Sequence, residues 1–118
     1  MRDLSVTRKV WVTFDRVGWH RYPNAPDDVA YLKLEHRHKF KFKVSVSVTH
    51  DDREIEFHQL LNWLESLYDE RLVVNHKSCE MLASDLIDSL VEKYGIDRHY
   101  EVEVSEDGEC GAVLTTFN

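Results

Sequence analysis

The chain has no long apolar run. None of its stretches approaches the roughly 20 residues that a membrane-crossing helix needs. Its start, Met1-Arg2-Asp3-Leu4-Ser5-Val6, has no apolar block after the arginine, so a secretory signal is not expected either. Cysteine is scarce. Cys79 and Cys110 are the only two, with no paired-motif spacing, so a disulfide framework is not expected and a reducing cytoplasm is the default location. Positive charge is also short: 15 Lys and Arg against 22 Asp and Glu leave a net charge of -7. That argues against nucleic acid or an anionic membrane as a general partner, since both want a basic surface. Only two prolines occur, and both fall in Pro23-Asn24-Ala25-Pro26-Asp27-Asp28. The chain has no repeat and no low-complexity tract.

What remains is a chain of 118 residues, 42% hydrophobic, which fits a single domain over 1–118 with a modest core. Its most informative stretch is His36-Arg37-His38, at the head of the alternating run Lys39-Phe40-Lys41-Phe42-Lys43-Val44-Ser45-Val46-Ser47-Val48. Side chains two apart on a strand share a face. His36 and His38 therefore point the same way as Phe40, Phe42, Val44, Val46 and Val48, while the other face is polar. Two imidazoles converging from one strand are two-thirds of a three-histidine zinc site, and His20 upstream is a candidate third. A metal with an open position would supply chemistry. The plainer reading of His36 and His38 is a polar strand end.

The element order reads strand, strand, helix, helix, strand, strand. The first strand is expected over 4–14 and a surface loop over 22–30. The second strand begins near His36 and ends at the turn-like His50-Asp51-Asp52. Phe57, Leu60, Leu61, Leu64, Leu67 and Tyr68 form one helical stripe. Leu82, Ala83, Leu86, Ile87, Leu90, Val91 and Tyr94 form a second, with Ser78 as its N-cap and Gly95 as its stop. Tyr100, Val102, Val104 and Glu106 share a strand face, Asp107-Gly108 turns the chain, and 111–117 returns. The pattern predicts an α+β fold: a four-stranded antiparallel sheet, ββααββ, with both helices on one face. Two open edges and a polar second face would be resolved by self-association into a barrel.

These residues resemble the 6-pyruvoyltetrahydropterin synthase and 6-carboxytetrahydropterin synthase family, of the tunnelling fold. The family binds zinc through a histidine after its first strand and a His-Gly-His on its second. His20 and His36-Arg37-His38 match, with arginine for glycine. Its Asp-Phe at the first helix is Glu56-Phe57 here, its Asp-His pair is Asn75-His76, its Pro-Thr-x-Glu is Lys77-Ser78-Cys79-Glu80, and its strand-ending glutamate is Glu106. The resemblance implies Zn2+ held by His20, His36 and His38, and His76 as the proton-transfer residue. It implies Glu106, Ser78 and Glu80 as contacts to a pterin or purine-like ligand, and a homo-oligomer, trimer or hexamer. The implied activity is that of a lyase acting on dihydroneopterin triphosphate or a relative.

Two departures bear on the reaction. Leu32 stands where the family's catalytic cysteine is placed, and Asn75 replaces the aspartate that would stabilise a His76 imidazolium. Cys79 at a helix start is a conceivable substitute nucleophile, though burial is the commoner fate of such a cysteine. Arg37, Lys39, Lys41 and Lys43 form a basic stripe that could hold a triphosphate tail or could simply be solvated. The alternative function is a catalytically degenerate relative that binds or sequesters a pterin, purine or nucleotide. For Ser78 and Glu80 the plainer reading is a helix cap, for Glu106 an exposed turn acid, and for His76 a surface-loop residue.

Overall fold

A computed structural model describes residues 4–117; the part of the expected non-signal start at 1–3 lies outside the described residues. Alternation builds the sheet. On β1 (Arg8–His20) and β2 (His36–Val48) the even positions turn inward, and Val12, Phe14, Phe40, Phe42, Val44 and Val46 are all buried. The two strands pair antiparallel along thirteen residues, from Arg8 opposite Val48 to His20 opposite His36. Phe14 and Phe42 face each other in that ladder and stack with centroids 4.7 Å apart, a contact adding about 0.5–1.5 kcal/mol beyond area burial.

The apolar stripes form α1 (Phe57–Ser66) and α2 (Cys79–Tyr94). Glu56 caps α1 by accepting from the Gln59 N–H, and Ser78 caps α2 by accepting from the Met81 N–H at 3.1 Å. Gly95 ends α2 at φ 100°, a conformation that glycine adopts without the clash a Cβ brings. Leu60 and Leu64 of α1 join Leu82, Ala83, Leu86 and Leu90 of α2 in one core with the inward sheet positions. The β4 strand (Tyr100–Glu106) pairs antiparallel with β2, and β5 (Cys110–Thr115) with β4. Among the described residues no helix is long and apolar enough to cross a membrane.

The four-stranded antiparallel expectation is corrected here. The α+β class holds, but the sheet is five-stranded, mixed and open, in the order β3-β1-β2-β4-β5. The added strand, β3 (Arg71–Asn75), joins the two helices and lies parallel to the end of β1. Leu72 and Val74 are buried under it while Val73 is 70% exposed, the alternation of a half-buried edge strand. The first strand also runs six residues further than expected, to His20 rather than Phe14. Its inward positions past Phe14 are Arg16, Gly18 and His20, which break the apolar pattern. Arg16 donates to the carbonyls of Glu65, in the last turn of α1, and Asp69, just past it, and Gly18 lies under Phe40 and Val74. Residues 21–35 connect β1 to β2; they contain the loop expected over 22–30 and a short 3-10 segment, Asp27–Lys33, that runs past it.

Candidate metal centre and adjoining cleft

The register of the long hairpin gathers the donors. His20 and His36 are direct cross-strand partners, His38 is two residues along the same face of β2, and Glu106 ends β4 opposite Phe40. His20, His36, His38 and Glu106 form a cluster that could hold a metal ion, with one candidate ligand atom from each and all four within 4.8 Å of one another. The ring centroids lie 4.5 Å (His20 and His36), 4.9 Å (His36 and His38) and 5.3 Å (His20 and His38) apart.

The outer nitrogens settle which way each ring is wired. His36 Nδ1 is 2.8 Å from the Leu34 carbonyl, His38 Nδ1 is 2.7 Å from Asp107 Oδ2, and His20 Nδ1 is 3.5 Å from the Lys77 carbonyl. Carbonyl and carboxylate oxygens only accept, so Nδ1 is the donor in each ring. In a neutral imidazole that leaves the lone pair on Nε2, facing the cluster. Such outer partners, fixing tautomer and orientation, characterise histidines that ligate metals.

Glu106 sharpens the point. Its Oε2 lies 2.8 Å from His20 Nε2 and 3.1 Å from His38 Nε2. The His20 contact lies outside hydrogen-bonding direction, so that nitrogen is buried without a hydrogen-bond partner. Burial pushes the His20 pKa down, against the pull of Glu106 in the other direction, which favours the neutral ring. A neutral Nε2 and a carboxylate oxygen present lone pairs to each other, an arrangement that a cation between them relieves.

A cleft of about 530 Å³ opens beside the cluster, within the range of small-molecule sites. His20, His36 and Glu106 line it, and so do three more expected site residues: His76, Ser78 and Glu80. The β3 strand delivers them. Asn75 ends that strand at φ 57°, a left-handed conformation that asparagine tolerates better than most residues, and its carbonyl accepts from the Arg21 N–H. His76 follows at the cleft, with Ser78 and Glu80 at the start of α2. Ser78 Oγ is engaged by its capping bond, so its role as a cap is the one seen. Glu80 is exposed in the first helical turn. Among the described residues no ion pair joins His76 to a carboxylate.

Other expectations separate from the cleft. Arg37, Lys39, Lys41 and Lys43 occupy the opposite sheet face, where Lys43 sits over the Trp11 ring at 4.8 Å. The cations that line the cleft are Arg21 and Lys77, and Lys77 is paired with Asp85. Cys79 lines the cleft but is buried, and its thiol is pushed up to about 11 by burial first and then by the Glu106 and Glu80 carboxylates. Leu32 lines the cleft as well. Sequence reasoning read Asp107 only as a turn residue and missed its contact with His38. The Asp-Gly turn gave no signal beyond chain reversal.

The chain matches no protein-family model, and no curated protein matches it.

Proposed function

We propose that this chain is a zinc-dependent lyase acting on a reduced pterin, dihydroneopterin triphosphate or a relative. The observation that carries the reading is the wiring of the three imidazoles: Nδ1 of His20, His36 and His38 is turned to an acceptor, and Nε2 is left for a shared cation. Three imidazoles suit zinc and leave a fourth position, bordered by Glu106, for substrate. When bound, zinc would supply a Lewis acid for an oxygen of the pterin side chain.

The chain's own groups then have distinct tasks. His76 is the imidazole that lines the cleft outside the donor cluster, and imidazole is suited to moving a proton near neutrality. It would take a proton from carbon where phosphate is expelled with its bonding pair, or from a side-chain hydroxyl where a C–C bond breaks to form a carbonyl and release a carbon fragment. Glu106 belongs to both the donor cluster and the cleft lining. One of its oxygens faces the imidazoles, and the carboxylate has a second to accept from the N–H edge of the ring. Glu80 and Arg21 border the space left for the remainder of the substrate. The exposed face bearing Trp11 (57% exposed) and the edge positions of β3 and β5 support self-association, which we take to be a trimer or hexamer.

A second reading has its own support. Leu32 offers no nucleophile, and Cys79 is pushed away from the thiolate form at neutral pH. A pocket that keeps its metal and ring contacts without them would bind a pterin, purine or nucleotide and not turn it over. Elemental analysis of purified protein, followed by incubation with dihydroneopterin triphosphate, separates the two. About one zinc per chain and product formation that His76→Ala abolishes support the lyase. Zinc with tight binding and no product supports the sequestering protein. A chain that takes up neither zinc nor any pterin or purine refutes both.

A further inference from the structure

We infer that Asp107 is a positioning residue for the metal centre, acting through His38 and tying its ring to the β4–β5 turn; the inference rests on the metal reading above. Its carboxylate makes two contacts with the same segment of β2. Oδ1 accepts from the Lys39 N–H at 2.9 Å, and Oδ2 accepts from His38 Nδ1 at 2.7 Å. In return the Asp107 N–H donates to the Lys39 carbonyl at 2.8 Å. The residue sits at φ 60°, just past the end of β4, where Glu106 supplies the cluster's carboxylate. One turn therefore places Glu106 on the inner nitrogen of His38 and Asp107 on its outer nitrogen. The Lys39 N–H fixes Oδ1, which leaves Oδ2 aimed at the outer nitrogen of His38.

Because both oxygens are used, asparagine cannot substitute. If the amide oxygen keeps the Lys39 N–H, the amide NH2 faces His38 Nδ1. That nitrogen must then accept, and its proton moves to Nε2, the atom that has to offer a lone pair to the metal. If the amide is turned round, its NH2 meets the Lys39 N–H, donor against donor. Alanine frees the ring without forcing the wrong tautomer. Asp107→Asn should therefore harm metal binding at least as much as Asp107→Ala, the reverse of the usual ranking for a conservative change.

The test is zinc affinity by competition with a chelating dye, together with ¹⁵N shifts of His38 in metal-free protein in alkaline buffer. Asp107→Asn is expected to weaken zinc about 10–100-fold, the range for lost outer-shell partners. Its His38 should change from the Nδ1–H to the Nε2–H tautomer, with the metal-free circular dichroism unchanged. In a His38→Ala background the same substitution should have no further effect. Affinity within twofold of the parent, an unchanged tautomer, or an equal loss without His38 would overturn the inference. Should the parent protein take up no zinc, the metal reading falls, and the tautomer still decides whether Asp107 orders His38.

Discussion

On the proposed zinc reading, replacing Glu106 with glutamine should stabilise the metal-free protein and weaken zinc binding, two effects of opposite sign from one substitution. With neutral rings in the metal-free site, Glu106 Oε2 faces the Nε2 lone pairs of His20 and His38 at 2.8 and 3.1 Å, and the His20 nitrogen has no hydrogen-bond partner. A glutamine NH2, after a small side-chain rotation that brings it into hydrogen-bonding direction, donates to one of them. Satisfying a buried acceptor adds about 1–2 kcal/mol, and near 4 °C per kcal/mol for a chain this long the melting temperature should rise by about 4–8 °C. Zinc should act the other way. At a free concentration one hundred times its Kd, zinc adds about 2.7 kcal/mol to the parent, or about 11 °C. If the lost charge weakens binding tenfold, the same zinc concentration adds only about 1.4 kcal/mol, or about 6 °C. Thermal melts of both proteins in mildly alkaline buffer, with chelator and with zinc, read both effects. A lower melting temperature for metal-free Glu106→Gln would mean that the carboxylate was pairing with protonated imidazoles, and the lone-pair argument would fail.

Gly18→Ala should cost about 1–3 kcal/mol in urea denaturation. A Cβ there meets Val74 Cγ2 at 2.9 Å, Phe40 Cε2 at 3.1 Å and Leu72 Cβ at 3.2 Å, and an unchanged midpoint would contradict that packing. Glu54 is held down to about 2, chiefly by the Thr49 hydroxyl and N–H and then by Arg98. A depressed carboxyl contributes stability that is complete above its unfolded value of about 4.5 and is lost as pH falls through the folded value. Glu54→Gln should therefore melt below the parent at neutral pH by a margin that closes between about pH 4.5 and 2; a margin constant across that window would refute the assignment.

Sequence alone revealed the parts whose signal is local. The alternation from Phe40 to Val48 and the stripes around Leu60 and Leu86 mark β2 and the helices directly. Ser78 and Gly95 mark the ends of α2 through chemistry confined to one turn. The misses have non-local causes. Five residues, Arg71–Asn75, are too few to separate a strand from a linker when their only partner is β1, more than fifty positions earlier. The end of β1 was hidden because its inward side chains serve other elements: Arg16 holds the C-terminal turn of α1, and Gly18 yields its space to Phe40 and Val74. Of the candidate site, the pairing of His36 with His38 was visible as a spacing of two. The addition of His20 depended on a ladder that carries β1 through to His36. The metal cluster is present as donors, whereas the ring contacts and the reaction stand on the proposal.

The long hairpin assigns its donors by parity. A single residue gained or lost within either strand would send the imidazoles beyond it to the far side of the sheet. The connection spanning 21–35 obeys no such rule, because the ladder fixes both of its ends independently of its length. Tyr22 and Leu32 of that connection help wall the cleft. Evolution can therefore rewrite what enters the cleft by editing the connection, while the donor atoms stay where the strands put them.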